Sequence, residues 1–441
     1  LKKVVVAYIF VVLVLFGCGG SGDSVVTGVN PTITTTLVDL SAMLNELVMI
    51  RDMVALPDGS ILATGFYQNS INEEIGTVFK LRPDATLDAN FGDEGKKSFQ
   101  VESMTTPMNL AVASDGSIFV SGTTVPGSSP QKAFIVKLTA TGQIDTTFGA
   151  GGSTSHQFSG YDTLGFAMGM LSNGKIIVGC RLRNPGSYDP TRYGLVSFNS
   201  DGSLDTTFGV SSEYISEAFD WFNPYHNIII QDDDAIVAGI YAEDFGSSLF
   251  ISKLEGYNED GTVNTSFGNN GYVDISDKQT FLEILQKQNG NIITVGWNAG
   301  YTVSTDPELT VLAYDSSGNS LSSFGTLGQS YINVDDNIEI VEPFDIAESA
   351  NGTFFVALYS EEVPDPSGFL FPQGGLQLAQ FDSDGLINAS FGNSGVWVYD
   401  GPGYFSPSTM AVLPDNTVYI GGTRGDVHVY EETFLLKVTV N

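Results

Sequence analysis

The hexapeptide LDTTFG at residues 204–209 returns along the chain as LDANFG at 87–92, IDTTFG at 144–149, VNTSFG at 263–268 and INASFG at 387–392. A degenerate copy, SLSSFG, occupies 320–325. The six phenylalanines, Phe91, Phe148, Phe208, Phe267, Phe324 and Phe391, stand 57, 60, 59, 57 and 67 residues apart. Self-similarity at such a period means one supersecondary unit copied along the chain, and this fixes the architecture before any local assignment. Within the motif, the Asp or Asn three residues before Phe (Asp88, Asp145, Asp205, Asn264, Asn388) is placed to accept hydrogen bonds from its own turn. The Phe is placed to tuck between neighbouring units, and the Gly permits a conformation that a Cβ would obstruct.

A second landmark accompanies each unit, an Asx-Gly step between two apolar runs: Asp58-Gly59, Asp115-Gly116, Asn173-Gly174, Asn289-Gly290 and Asn351-Gly352. Asp232-Asp233 and Asp415-Asn416 stand in for it in two units, with residues that tolerate positive φ best after glycine. The landmarks number seven. In the first unit, the runs Asp52–Leu56 and Ser60–Gly65 flank the Asp-Gly step as a hairpin. A third strand follows at Thr77–Leu81, then a turn at Arg82–Ala85, the FG motif and a short fourth strand at Lys96–Gln100. Four antiparallel strands per unit at this period describe a propeller blade. The expected fold is all-β: a seven-bladed β-propeller of four-stranded antiparallel blades, one domain over residues 32–441.

The last unit stops early, with strands at Met410–Leu413, Val418–Gly422 and Phe434–Val440 but neither an FG motif nor a fourth strand. At the other end, Thr32–Leu40 is a β-branched strand with no unit of its own. Pairing it with Phe434–Val440 would complete the last blade and satisfy both exposed edges. The combination PDGxI…G, an apolar strand and DGxLDxxFGxxG resembles the delta-60 repeat family of bacterial β-propellers over roughly residues 45–441, most fully at 201–209. That resemblance implies a propeller in a secreted or envelope protein and assigns no catalytic residue. Leu321 in place of the Asx, Leu358 in place of the glycine after a second strand, and the long insertion Ser360–Gly375 depart from the pattern.

The N-terminus reads as an address. Lys2 and Lys3 precede the apolar run Val4–Phe16, too short to span a bilayer comfortably but suited to a signal peptide at residues 1–17. Leu15-Phe16-Gly17-Cys18 resembles the lipobox of bacterial lipoproteins, which implies lipidation at Cys18 and, with Gly19 following, the outer membrane. Residues 18–31 are Gly/Ser-rich and read as a flexible tether. With 51 acidic against 18 basic residues, the formal charge of −33 repels phosphate backbones and anionic lipid. Nucleic acid is therefore excluded as a partner, and the membrane is reached through the lipid anchor only. Cys180, in an apolar run, reads as a small buried hydrophobe.

The chain carries no GxSxG, HExxH or phosphate-binding loop, and His156, His226 and His428 lack ligand spacing. Asp201, Asp205, Asp260, Asp382 and Asp384 alternate before glycines as in a calcium loop, but lack its terminal bidentate carboxylate, so hydrogen-bonded turns are the competing reading. No other cofactor is expected. Trp221, Tyr225, His226, Trp297, Tyr301, Arg181 and Arg424 fall on the face formed by second-to-third-strand loops and unit-to-unit connections. Aromatics with a few polar groups there suit a glycan or peptide. Packing of these side chains on their own blades is the alternative. The sequence points to a lipid-anchored monomeric envelope module that binds or scaffolds protein or glycan and is not an enzyme. The alternatives are a carbohydrate lyase or hydrolase using carboxylates at the propeller mouth, and a calcium-stabilised adhesion protein.

Overall fold

Short apolar runs separated by Gly and Asx turns become strands, because the turns reverse the chain every few residues and leave each run an antiparallel neighbour. The computed structural model describes residues 32–440 apart from 126–129, 187–189, 218–226, 245–248, 276–278, 299–307, 334–337, 363–373, 400, 402 and 427–428. Its strands form seven four-stranded antiparallel sheets, the blades of a propeller. Blade 1 comprises Met49–Ala55, Ile61–Gln68, Glu74–Leu81 and Lys96–Phe99. The innermost strands of blades 2 to 6 are Met104–Val112, Asp162–Met170, Ile228–Ile230, Gln279–Gln286 and Ile338–Glu348. Blade 6 keeps its four strands although Leu358 replaces its glycine; Leu358 is fully buried between Pro343 and Gln377.

Blade 7 closes the ring as the sequence predicts. Its sheet is Tyr404–Val412, Val418–Asp426 and Val429–Val440, completed by Ile33–Asp39 from the other end of the chain. The register runs from Ile33 opposite Val440 to Asp39 opposite Phe434. A one-turn helix, Ser41–Leu44, not anticipated from the sequence, then carries the chain into blade 1. Thr433 holds this corner: its hydroxyl donates to the Val48 carbonyl and accepts the Val48 N–H, each at 2.8 Å. Lys96 Nζ donates to the Leu44 carbonyl and pairs with Glu46, both at 2.6 Å.

The FG motifs join blade to blade. All six phenylalanines are buried, at 4% exposure or less, and each ring contributes roughly 1.5–3 kcal/mol by burial. The motif glycine sits at positive φ, 52–57°. Its N–H donates to a carbonyl in the next blade's third-to-fourth-strand turn: Gly92 to Thr141, Gly149 to Asp201, Gly209 to Asp260, Gly268 to Ser317 and Gly325 to Asp384, at 2.7–2.8 Å. The residue after that carbonyl is in each case a glycine (Gly142, Gly202, Gly261, Gly318, Gly385), and a Cβ there would meet the preceding blade's Phe ring at 2.2–3.1 Å. The Asx carboxamides and carboxylates accept the N–H two residues on, as at Asp145 with Thr147 and Asn264 with Ser266.

At the closing junction no FG motif precedes blade 1, and its turn has Ala85 where the others have glycine, at φ 63°. Tyr419 Oη and Lys437 Nζ of blade 7 instead donate to the Pro83 carbonyl, at 3.1 and 3.2 Å. The missing motif and the exceptional alanine are thus two sides of one contact. In blade 4 the hairpin turn lies one residue beyond the expected position: Asp234, not Asp233, takes the positive φ of 65°. Its carboxylate accepts the Ser172 N–H and hydroxyl from blade 3, at 2.6 and 2.5 Å.

Gly142→Ala places a methyl 2.7 Å from both the Phe91 ring and the Gly92 nitrogen. We expect it to lower unfolding free energy by roughly 2 kcal/mol or more, from the left-handed backbone cost and overpacking. Ala85→Gly, the reverse change at the closing junction, should be near neutral. Equilibrium denaturation of the two variants in parallel checks the contrast.

Candidate functional site

The innermost strands are not regular. Those of blades 1, 2, 3, 5, 6 and 7 each carry a bulge, at Arg51, Met108, Phe166, Leu282, Phe344 and Ser408. A bulge inserts one unpaired residue and re-aims the next side chain. The residues that follow are Asp52, Asn109, Ala167, Glu283, Asp345 and Thr409, a ring of equivalent positions around the central axis. Three of the six are acids.

Two of those acids stitch blades together. Asp52 Oδ1 accepts the Met53 N–H at 2.7 Å, and its Oδ2 accepts the Leu110 N–H of blade 2 at 2.6 Å. Asp345 repeats the arrangement between blades 6 and 7: Oδ1 accepts from Ile346 at 2.7 Å, and Oδ2 accepts from Met410 at 2.6 Å and the Thr409 hydroxyl at 3.2 Å. The bulge residue of blade 7 ties the ring's seam in turn, Ser408 Oγ donating to the Ile50 carbonyl of blade 1 at 2.7 Å. Among the described residues Glu283 accepts a long contact from Asn227 Nδ2, at 3.5 Å.

Burial dominates the acidity of all three. It pushes Asp52 up to about 8, against the Leu110 N–H, with repulsion from Asp345 adding to the rise. Burial likewise raises Asp345 to about 6 against the Met410 and Ile346 N–H groups. Glu283 is driven well above the ordinary carboxyl range by burial and then by the charge of Asp345. Carboxylates facing one axis cannot all ionise cheaply, so protons are retained there.

Beside Glu283 the channel opens into a cavity of about 390 Å³, lined by Arg51 of blade 1, Glu342, Phe344 and Tyr359 of blade 6, and Tyr404 of blade 7. Arg51 and Tyr404 stand in the N-terminal halves of their strands and Glu283 and Phe344 just past the midpoints of theirs, so the cavity runs from the face of the second-to-third-strand loops to the middle of the channel. Tyr359 Oη donates to Tyr404 Oη at 2.6 Å, with the rings edge to face at 6.2 Å. Arg51 is exposed and lies over the Phe66 ring, 5.3 Å from its centroid.

Of the binding residues singled out from sequence, the three described ones do not converge. Trp221, Tyr225, His226 and Tyr301 lie outside the described residues, as do Cys18, the signal segment 1–17 and the tether 18–31. Arg181, on blade 3, stacks 3.6 Å over the bulge residue Phe166. Trp297, on blade 5, packs against the core between blades 5 and 6. Arg424, on blade 7, pairs with Glu432 through Nε at 2.6 Å. Each of the three described side chains belongs to a different blade and is held by packing there.

The acidic turn residues are occupied as turn acceptors. Asp201 and Asp260 each take the N–H and hydroxyl of the residue two on, Ser203 and Thr262. Asp382 takes the N–H of Asp384 and Leu386. Burial pushes Asp205 up, but its bonds to Lys175, 2.8 Å away, and Thr207 outweigh that and hold it at about 2. Among the described residues no group of three or more His, Cys, Asp or Glu is arranged to hold a metal ion. Cys180 is buried and its thiol is pushed far up by burial, as a packed hydrophobe.

One family model matches the chain, "Domain of unknown function (DUF5122) beta-propeller", over residues 113–148. The matched segment runs through blade 2 from its hairpin turn to the FG phenylalanine. No curated protein matches. Among solved structures, the chain is similar to the β-propeller domain of the Trilobed protease from Pyrococcus furiosus, at 9% identity and TM-score 0.46, covering 88% of this chain and 93% of that one. A protein of unknown function from Dyadobacter fermentans aligns at 10% identity and TM-score 0.43, over 90% and 96% of the two chains. The Pyrococcus horikoshii acylaminoacyl peptidase aligns at 10% and 0.43, over 87% of this chain and 50% of that one. The chain is a β-propeller domain whose function no comparison assigns.

The raised acids set a pH dependence of opposite sign to ordinary acid denaturation. Their unfolded values are near 3.8, so above that pH the folded ring keeps protons that the unfolded chain has released. Stability from these groups is full below about 4 and is lost as pH rises through about 6 and then about 8. The melting temperature should fall from about pH 5 to pH 8. Asp52→Asn should flatten the upper part of that slope while lowering stability overall, because its amide N–H₂ must face a backbone N–H.

Proposed function

We propose that this propeller is a non-catalytic binding or scaffolding module of the bacterial cell envelope, tethered by lipid at Cys18, with its ligand site at the channel-mouth cavity. One observation carries this reading: a cavity of small-molecule size, with mixed aromatic and polar walls, on the face where the sequence does not repeat. Asp52 and Asp345 have both carboxyl oxygens engaged by backbone N–H groups, which makes them blade stitches rather than acid–base catalysts. The lipobox supplies the address and the acidic surface keeps the disk off anionic headgroups.

A second reading, an envelope carbohydrate lyase or hydrolase, is favoured by a single feature: Glu283 and Glu342 line the same cavity. A protonated acid and an ionised partner are what glycoside cleavage requires. The full chain, incubated with envelope glycans and peptides under both binding and product detection, separates the readings. Saturable binding with ligand recovered intact supports the module, and turnover abolished by Glu283→Gln supports the enzyme. The anchor is tested independently: Cys18→Ala should move the protein from the membrane to the soluble fraction, and unchanged fractionation would remove the anchor from the account.

A further inference from the structure

We propose that the channel-mouth cavity binds a neutral mono- or disaccharide, held between the Tyr359–Tyr404 hydroxyl pair, the Glu283 carboxyl and the Phe344 ring. The proposal rests on the reading of the cavity as a ligand site and adds the chemical class of the ligand. The size argues first. About 390 Å³ stands near the lower end of the roughly 300–1,000 Å³ typical of small-molecule sites, which admits one or two sugar rings and no folded partner. Each innermost strand is the end strand of its sheet and leaves one edge unpaired toward the channel, so a short peptide is the competing occupant.

The chemistry of the walls argues next. A sugar presents hydroxyls that both donate and accept, on a ring whose C–H face is apolar. The cavity offers matching groups from adjoining blades. The phenol oxygens of Tyr359 and Tyr404, 2.6 Å apart, have close to the spacing of neighbouring hydroxyls on a pyranose ring. Each phenol is both donor and acceptor. Ser406, from the same strand as Tyr404, adds a hydroxyl, and Glu283 and Glu342 add carboxyl oxygens. Phe344, Pro343 and Pro407 supply apolar faces against which a sugar's C–H face can lie.

Charge excludes the neighbouring classes. The protein carries a formal −33, a field that reaches the cavity, while at the wall itself Glu342 and the exposed Arg51 offset each other. Uronic acids, phosphosugars and sialylated glycans would meet that field unfavourably. Burial drives Glu283 well above the ordinary carboxyl range, which favours its protonated form, and a protonated carboxyl donates a hydrogen bond that an ionised one cannot. The inner wall therefore meets the ligand largely without charge, as a neutral polyol requires.

The test uses the full chain and a glycan array carrying neutral, acidic and amino sugars, followed by titration calorimetry with the best neutral disaccharide on the array. We expect saturable binding of a neutral saccharide, weakened at least tenfold by Tyr404→Phe and by Glu283→Gln. Leu327→Ser, a 91% exposed position far from the mouth, should leave it unchanged. Melting curves of each variant guard against misfolding, and Tyr359→Phe gives a second, ring-preserving removal of one hydroxyl. Binding of an acidic glycan or a short peptide that the same substitutions weaken would overturn the sugar class while sustaining the ligand site. Neutral-sugar binding that none of the three variants alters would overturn the placement. No saturable binding of any array member or peptide would overturn both.

Discussion

The structure depends on one repeated contact. At five of the six FG motifs the glycine N–H reaches a carbonyl in the next blade's outer turn, while the motif's Phe ring lies against that turn's glycine. Each half enforces the other: the hydrogen bond sets the blade-to-blade distance, and at that distance only a residue without a Cβ fits beneath the ring. Because the contact always joins a unit to its successor, it propagates in one direction. It must therefore end at the last unit, where the ring is closed by other means. Strand pairing between Ile33–Asp39 and Phe434–Val440, with Tyr419 and Lys437 on Pro83, takes its place.

Rigid joints at the rim leave the axis to be filled, and there the chain uses polar rather than apolar stitches. The bulge in six of the innermost strands turns one side chain toward a neighbouring blade or the channel. Asp52 and Asp345 use it to hold backbone N–H groups of the next blade. Burial at these positions raises the carboxyl pKa against the pull of those N–H groups, so the ring gains stability when the acids are protonated. Glu283, which lacks backbone donors in the same position, is left facing the mouth cavity. Blade-stitching and cavity-facing positions are thus divided among equivalent places in the ring.

Much of the fold was legible in the sequence, for a physical reason. The FG motif, its Asx and the turn glycines are backbone requirements, with positive φ, close approach and a capped turn, and few residue types satisfy them. The closing strand was legible because an unpaired β-branched run and an incomplete unit need each other. The blade 4 turn was displaced by one residue because three consecutive aspartates hide which of them takes positive φ. The one-turn helix at Ser41–Leu44 carries no periodic signal at that length.

The candidate site was far less legible. Asp52 and Glu283 stand as single acids inside their first strands, a signal that was available, whereas Asp345 shares its strand with Glu339, Glu342 and Glu348, and the convergence of the three depends on bulges that no spacing reveals. Arg181, Trp297 and Arg424 fell on the expected face, yet their side chains are held by Phe166, by the core between blades 5 and 6, and by Glu432. The central claim is that the ring is closed by the two ends of the chain. A Thr34→Cys/Thr439→Cys variant, oxidised and run on a non-reducing gel, tests it most directly, because these residues face each other across the closing pair. The account predicts an intramolecular crosslink that shifts mobility and raises the melting temperature. Thiols at positions 34 and 439 that both stay free after oxidation of the folded protein would contradict it.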